Sequence, residues 1–282
     1  MIDNLSTGRR ENLAEAQADG ARLIEADLRD GEALRDVCGG ARPDVVFHLG
    51  AQIDVRRSVA DPAADARVNV IGTINMLVAA REAGARRFVN SSTGGAIYGE
   101  AREIPAPESH PTEPEAAYGQ SKLAAEGYCR LFRRLHGFST VSLRYGNVYG
   151  PRQDPLGEAG VIAIFCGKLI DGGKPTVFGD GLQTRDYVYV GDVVAANLAA
   201  AESDVGGAFN VGLGVESTVL DLIEVLGRLA GRSDFEPVRA PERPGEIKHI
   251  ALDSSRAREE LGWEPRVRLE EGLERTLAWA RG

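Results

Sequence analysis

The sequence predicts an α/β protein built on an open, doubly wound parallel sheet, and three observations carry that prediction. Short β-type runs alternate with longer helical segments through the first 150 residues. The run DVVFHLGA is almost wholly apolar, as expected of a strand covered on both faces. The runs RRFVNSS and STVSLRYGN end in polar residues, at the strand ends where parallel sheets place their ligands.

Taken in order, ARLIEAD (residues 21–27) reads as a strand and GEALRDVCGG as a short helix ending in glycines; DVVFHLGA is the second strand. DPAADARVNVIGTINMLVAAREAG reads as one long helix closed by Gly84. RRFVNSS is a strand, the stretch from about 116 to 136 a helix, and STVSLRYGN a further strand. After Gly150 the rhythm changes. PRQDPLGEAG is a loop, VIAIFCGKLIDGG a helix, and TVFGDG a short strand with a turn. RDYVYVGDVVAANLAAAES is a strand or loop leading into a helix, STVLDLIEVLGRLAG is amphipathic, and SSRAREELGW and LEEGLERTLAWARG are terminal helices. The expected division is a first domain of 1–150 with about 188–212, and a smaller α/β lobe of 151–187 with 213–282.

Composition narrows the function classes. The 282 residues are 43% hydrophobic and 27% charged, an ordinary globular balance. A net charge of -9 without a Lys/Arg stripe argues against nucleic acid as a partner. No apolar run reaches the length of a membrane span, so no membrane partner is expected. Cys38, Cys129 and Cys166 are scattered, which reads as free thiols in a reducing cytoplasm. His48, His110, His136 and His249 lack metal-ligand spacing, and no metal is assigned.

The strongest chemical signal is AYGQSK, in which Tyr118 and Lys122 stand one helical turn apart on one face. A free tyrosine, with a pKa of about 10, is a poor base at neutral pH; a neighbouring ammonium favours the phenolate. The pair can therefore take and return a proton. YxxxK by itself is common and is more often a surface pair. It gains weight from FVNSSTGGAIYG, where a strand ends in Ser91, Ser92 and Thr93 followed by two glycines. Hydroxyls there can bond a substrate oxygen and relay a proton to a tyrosinate.

With these motifs, DNLSTG, EADLRD, HLGAQIDVRRS, NVIGT, LRYGNVYGPRQ, GDGLQTRDYVYVGD, FNVGLG and ERPGE follow in one order. In that order the chain resembles the extended short-chain dehydrogenase/reductase superfamily and its NAD-dependent epimerase/dehydratase family. It is most like the UDP-glucose 4-epimerase branch. The resemblance implies a Rossmann-type domain with a C-terminal nucleotide-sugar lobe. It implies Tyr118 as acid/base, Lys122 as its partner at the nicotinamide ribose, and Thr93 as the group bonding the reacting hydroxyl. An extra glycine before the YG keeps Ser92 as a second candidate. For NAD it implies Asp3 and Asn4 at the adenosine ribose, an acid there suiting NAD over NADP. Asp27 and Leu28 would border adenine. Leu49, Gly50, Ala51 and Gln52 would line the cofactor's centre with Asn69 in support; Ser91 and Tyr145 complete the set. For the substrate, it implies Asn147 near the diphosphate, Arg185 and Arg243 at phosphate and ribose, and Glu246 near the ribose. Each has a plainer reading: Asp3 and Asp27 as turn caps, Leu49 and Ala51 as core, Asn69 as an ordinary buried amide, Arg185 as a surface pair with Asp186. Independently of the resemblance, Arg185 and Arg243 are isolated cations in Gly/Pro-rich loops, suited to point recognition of phosphate.

The implied reaction is epimerisation of a nucleotide-diphosphate sugar, with UDP-glucose/UDP-galactose at C4 favoured. Tyr118 removes the 4-hydroxyl proton, NAD takes the C4 hydride, and the 4-keto sugar turns over before the hydride returns. A 4,6-dehydratase would carry an Asp-Glu pair after the catalytic Thr, where this chain has Gly94 and Gly95. Decarboxylation, reduction and epimerisation at another carbon remain alternatives, as does a non-catalytic nucleotide-binding protein; retention of both Tyr118 and Lys122 argues against the last. The resemblance also implies a homodimer formed through the helix after Asp61 and the helix carrying Tyr118.

The opening MIDNLSTG reads as the end of a strand, an acid and a turn. The family begins with a strand, a GxxGxxG turn and a helix before this point, roughly 30 residues for a βαβ unit. No such turn precedes a strand–helix unit in the chain. The expectation is an N-terminally incomplete domain that, if it is the whole molecule, binds NAD weakly and is poorly stable.

Overall fold

The computed structural model describes residues 1–155, 160–242 and 247–282. The strands in chain order are β1 (Ile2–Asp3), β2 (Ile24–Glu25), β3 (Val45–His48), β4 (Arg87–Thr93), β5 (Ser139–Tyr145), β6 (Asn147–Tyr149), β7 (Thr176–Phe178), β8 (Thr184–Arg185), β9 (Tyr187–Tyr189), β10 (Gly207–Val211), β11 (Ser217–Thr218) and β12 (Val238–Ala240). The α-helices are α1 (Ala14–Ala18), α2 (Gly31–Ala41), α3 (Val55–Ala60), α4 (Pro62–Ala66), α5 (Gly72–Glu82), α6 (Gly94–Ile97), α7 (Ala117–His136), α8 (Val161–Ile170), α9 (Val190–Glu202), α10 (Val219–Ala230), α11 (Ser255–Leu261) and α12 (Leu269–Ala280). A four-stranded sheet has the order β10-β5-β4-β3. Within it β3 and β4 pair in parallel, from Val45 opposite Arg87 to His48 opposite Asn90. A separate parallel ladder joins β1 to β2.

Two compact units are present. The first comprises Met1–Ser92, Ala116–Ser142 and Asp204–Gly207; the second comprises Thr93–Glu115, Leu143–Ser203 and Ala208–Gly282. The division expected from the change of rhythm after Gly150, 1–150 with about 188–212 for the cofactor and 151–187 with 213–282 for the substrate, stands as a proposal. The core of the first unit gathers Leu34, Leu77, Phe88, Phe132 and Phe138, from α2, α5, β4 and α7 and the turn after α7. That of the second gathers Phe165, Leu222, Leu226, Leu273 and Leu277, from α8, α10 and α12. α10 starts on a capping box in which Thr218 and Asp221 bond each other's backbone N–H groups.

Three sequence expectations are corrected. The strand read over 21–27 is paired only at Ile24–Glu25. DVVFHLGA is not covered on both faces: Phe47 is 39% exposed and burial alternates along β3. The long helix from Asp61 to Gly84 is broken by a π-helical turn at Arg67–Ile71 between α4 and α5. There Thr73 Oγ donates to the carbonyl of Asn69, four residues back, at 2.6 Å.

In the second unit Asp186, between β8 and β9, accepts backbone N–H bonds from Leu213, Gly214 and Leu252 at 2.8–3.0 Å. Burial pushes its carboxyl up, and these three donors oppose that by favouring the charged form. Asp186→Ala strands three buried donors, each worth ~1–3 kcal/mol. It is expected to lower unfolding free energy by at least ~3 kcal/mol in urea titration. An effect below about 1 kcal/mol would show that these bonds do not anchor the lobe.

Candidate active site

α7 begins without a cap of its own: Ala116 is extended and offers no side-chain acceptor. The exposed N–H groups of a first helical turn need partners. That of Tyr118 finds Ser58 Oγ at 3.0 Å, and fully buried Ser58 in turn donates to Val55 O at 2.7 Å. A serine of α3 thus caps the helix carrying Tyr118. One turn along, Ser121 Oγ donates to Tyr118 O at 2.9 Å.

Lys122 is 6% exposed, and its Nζ donates to Ser91 O at 3.0 Å. Burial pushes its pKa down to about 8, opposed by the carboxylates of Asp65 first and Glu126 after it. Its charge is therefore lost as pH rises through about 8, below the range of an exposed lysine. Beside it His48 is pushed down to about 3, by burial first and the Lys122 charge second. His48 Nε2 lies 2.9 Å from Thr73 Oγ, a structural pairing.

The hydroxyls ending β4 separate by strand alternation, Ser91 and Thr93 to one face and Ser92 to the other. Ser92 Oγ donates to Glu126 Oε1 at 2.6 Å. Glu126 is 1% exposed, and its second oxygen lies 3.6 Å from Arg130 Nη1. Ser92 is thus tied to α7.

The residues expected at the cofactor cluster at strand ends of the first unit. Asp3 accepts the Leu5 N–H at 2.6 Å, and Asn4 Nδ2 reaches Asp27 Oδ2 at 2.9 Å. Asp27 also takes the Arg29 N–H and both arms of its guanidinium at 2.7–2.9 Å. That guanidinium holds the Asp27 carboxyl well below the usual carboxylate range. Leu28 lies over Gly50, where a Cβ would stand 2.9 Å from Leu28 Cδ1, so a larger residue would require the leucine side chain to shift. Leu49 is 59% exposed and is not core, and Ala51 is half-buried. Gln52 N donates to Asn69 Oδ1 at 2.8 Å, while Asn69 Nδ2 meets Gln52 O, Asp65 Oδ1 and Ser121 Oγ at 2.9–3.1 Å. Asn69 is thus a buried amide with its bonds filled from within the protein, and it ties Gln52 to α7.

In the second unit Thr93 and Asn147 come together across Gly95. A Cβ there would meet Asn147 Oδ1 at 3.2 Å and Thr93 Oγ at 4.0 Å. A Cβ on Gly94 would overlap the methyl groups of Leu252. Arg185 donates Nη1 to Thr184 O at 2.7 Å; the Asp186 carboxylate is taken up by backbone donors and is no surface partner for it. Tyr145 donates its hydroxyl to Asn197 Oδ1 on α9 at 3.0 Å. Arg243 and Glu246 lie outside the described residues.

Four participants were not singled out from the sequence: Ser58, Asp65, Ser121 and Glu126. Glu126 follows Lys122 by four residues, Ser121 follows Tyr118 by three, and Asp65 precedes Asn69 by four. Those spacings were readable. Ser58 closes the quoted segment HLGAQIDVRRS but gave no signal of a cap acting from another helix.

Residues 1–212 match the family described as NAD dependent epimerase/dehydratase. The UDP-glucose 4-epimerase of Mycolicibacterium smegmatis is 44% identical over 282 residues, 99% of this chain and 90% of that protein. Among solved structures, the UDP-glucose 4-epimerase of Thermotoga maritima with UDP-glucose superposes with a TM-score of 0.94 at 45% identity, covering 99% of this chain and 89% of that one. The Thermus thermophilus enzyme in complex with NAD gives 0.92 at 41% identity, covering 100% and 90%. This chain belongs to the NAD-dependent epimerase/dehydratase family, and its fold is the Rossmann-type α/β fold of those structures.

Ser58→Ala removes the acceptor for the Tyr118 N–H. Stability is expected to fall by ~1 kcal/mol, the usual cost of a lost cap. Amide hydrogen exchange should speed up in the first turn of α7 and not in its last. Uniform exchange along α7 in both proteins would contradict the capping role.

Proposed function

We propose that the chain is an NAD-dependent isomerase that interconverts UDP-glucose and UDP-galactose through a transient 4-keto sugar. The observation that carries this reading is the buried Lys122 ammonium, held against the β4 end one helical turn from Tyr118. In a chain 44–45% identical to UDP-glucose 4-epimerases, that arrangement favours proton transfer by a tyrosinate.

The first unit fits NAD on its own geometry. Asp3 and the Asn4–Asp27 pair sit at adjoining strand ends, Gly50 keeps the backbone bare under Leu28, and Leu49 presents an open apolar side chain. These residues, with Ala51, Gln52, Asn69, Ser91 and Tyr145, would hold the cofactor. NAD, when bound, supplies the hydride acceptor and donor for C4. The chain's own residues manage the proton. Tyr118 takes it from the 4-hydroxyl and returns it on the other face of the sugar, and Lys122 favours the phenolate. Thr93 bonds the reacting oxygen, with Ser92 the weaker candidate because Glu126 engages it. Asn147, Arg185, Arg243 and Glu246 recognise the nucleotide and diphosphate.

Dehydration is disfavoured on steric and chemical grounds. An acid at position 94 would overlap Leu252, and neither glycine at 94–95 can donate or accept a proton. Homodimer assembly through the helices after Asp61 and α7 belongs to the same proposal, and exposed apolar Ile71 and Leu135 lie on those segments. No helix of the described residues is long and apolar enough to cross a membrane. A cytoplasmic site of action is part of the proposal, supported by three cysteines that are free and buried.

Tyr118→Phe is expected to lower kcat for UDP-glucose at least ~100-fold, the usual worth of a positioned acid/base. UDP-glucose binding measured by calorimetry should change little. Retained turnover in this variant, followed by NMR of the anomeric protons, would remove Tyr118 from the chemistry.

A further inference from the structure

Asp65, at the end of α4, is 1% exposed, and nothing in the assigned chemistry calls for it. Its Oδ1 accepts from Gln52 Nε2 at 2.8 Å and from Asn69 Nδ2 at 3.1 Å. Its Oδ2 is buried with no hydrogen-bond partner. Both donors to Oδ1 are neutral amides, so no positive charge reaches the carboxyl by direct contact. A buried carboxylate in that condition is costly unless a charge elsewhere offsets it.

Lys122 presents the complementary problem. Its ammonium carries three donors and is 6% exposed, with Ser91 O as its hydrogen-bond acceptor. The groups around it come from four elements: His48 from the end of β3, Ser91 O from β4, Asp65 from α4, and Glu126 and Cys129 from α7. Of the charges that favour its ammonium form, Asp65 acts most strongly. Glu126 is already engaged by Ser92 Oγ and lies 3.6 Å from Arg130. His48 is held neutral by burial and supplies no countercharge.

The two groups are not in hydrogen-bond contact; what joins them is one buried network, in which Asn69 bonds both Asp65 and the Ser121 hydroxyl next to Lys122 on α7. We propose that Asp65 is a positioning residue of this site: it is the countercharge that keeps Lys122 an ammonium in its buried setting, and through Asn69 and Ser121 it fixes the turn of α7 that carries Tyr118. The chain of contacts is continuous. Asn69 Nδ2 spans Asp65 Oδ1 and Ser121 Oγ at 3.1 Å each, and Ser121 Oγ reaches Tyr118 O at 2.9 Å. The π-helical turn at Arg67–Ile71 sets Asn69 where it meets all of these groups, four residues after Asp65.

This inference rests on the reading of Tyr118 and Lys122 as the catalytic pair, and its test separates the two. The chain has only four lysines, at 122, 168, 174 and 248. Lysine labelled with ¹³C at Cε gives one resolvable signal for each, and Lys122→Met assigns the one of interest. In the unaltered protein the Lys122 signal is expected to titrate near pH 8, below the other three. In Asp65→Asn its midpoint should fall further by roughly one pH unit or more, the usual effect of losing a close opposite charge. In parallel the alkaline limb of kcat should move to lower pH by the same amount. Asp65→Glu should restore both in part. Asp65→Ser serves as a second neutral variant if Asp65→Asn does not fold, with the three other lysine signals reporting folding. An unchanged Lys122 midpoint in a folded neutral variant overturns the proposal, as does a Lys122 that titrates with the exposed lysines. Epimerisation that survives Lys122→Met and Tyr118→Phe would instead overturn the reading of Tyr118 and Lys122 as the catalytic pair and leave the titration result standing.

Discussion

The bond from Lys122 Nζ to the carbonyl of Ser91 is the constraint on which the chemistry proposed for Tyr118 and Lys122 depends. It fixes α7 against the end of β4, and it does so with a group whose burial opposes its own charge. Such an arrangement survives only where neighbouring dipoles and carboxylates compensate. The elements around it supply these: the strand-end carbonyl, Asp65 before the π-helical turn, and Glu126 one turn further along α7. The helix start is fixed independently by Ser58, so the turn from Tyr118 to Lys122 is held at both ends. A tyrosine used as a base needs a neighbour whose charge and position do not wander.

A second constraint acts through absent side chains. At Gly94 the Leu252 methyl groups fill the space of a Cβ, and at Gly95 Asn147 and Thr93 border it. Neither position carries a side chain that could act as acid or base, which favours the proposed epimerisation over dehydration in a family whose description includes both. Fold alone does not distinguish the two reactions.

Much of this was legible in the sequence. The order of strand and helix, the hydroxyl-rich end of β4 and the Tyr118–Lys122 spacing are local patterns that survive folding unchanged. What was not legible depends on partners distant in the chain. The break in the helix after Asp61 arises because Asn69 is drawn toward Gln52 and Ser121, residues 17 and 52 positions away. β-type composition over 21–27 overstated a strand of which two residues are paired, since pairing is decided by the neighbouring strand and not by propensity. The exposure of Leu49 and Phe47 likewise depends on what packs against them, which an apolar run cannot report. Ser92 and Thr93 look equivalent as letters, yet strand alternation commits Ser92 to Glu126.

In the proposed reaction the sugar is oxidised and reduced again at one carbon within a single turnover. UDP-glucose carrying deuterium at C4 should therefore give UDP-galactose with the deuterium still at C4 and no label released to water. Label lost to solvent, a 6-deoxy keto product, or no UDP-galactose from folded, NAD-supplied protein would contradict it.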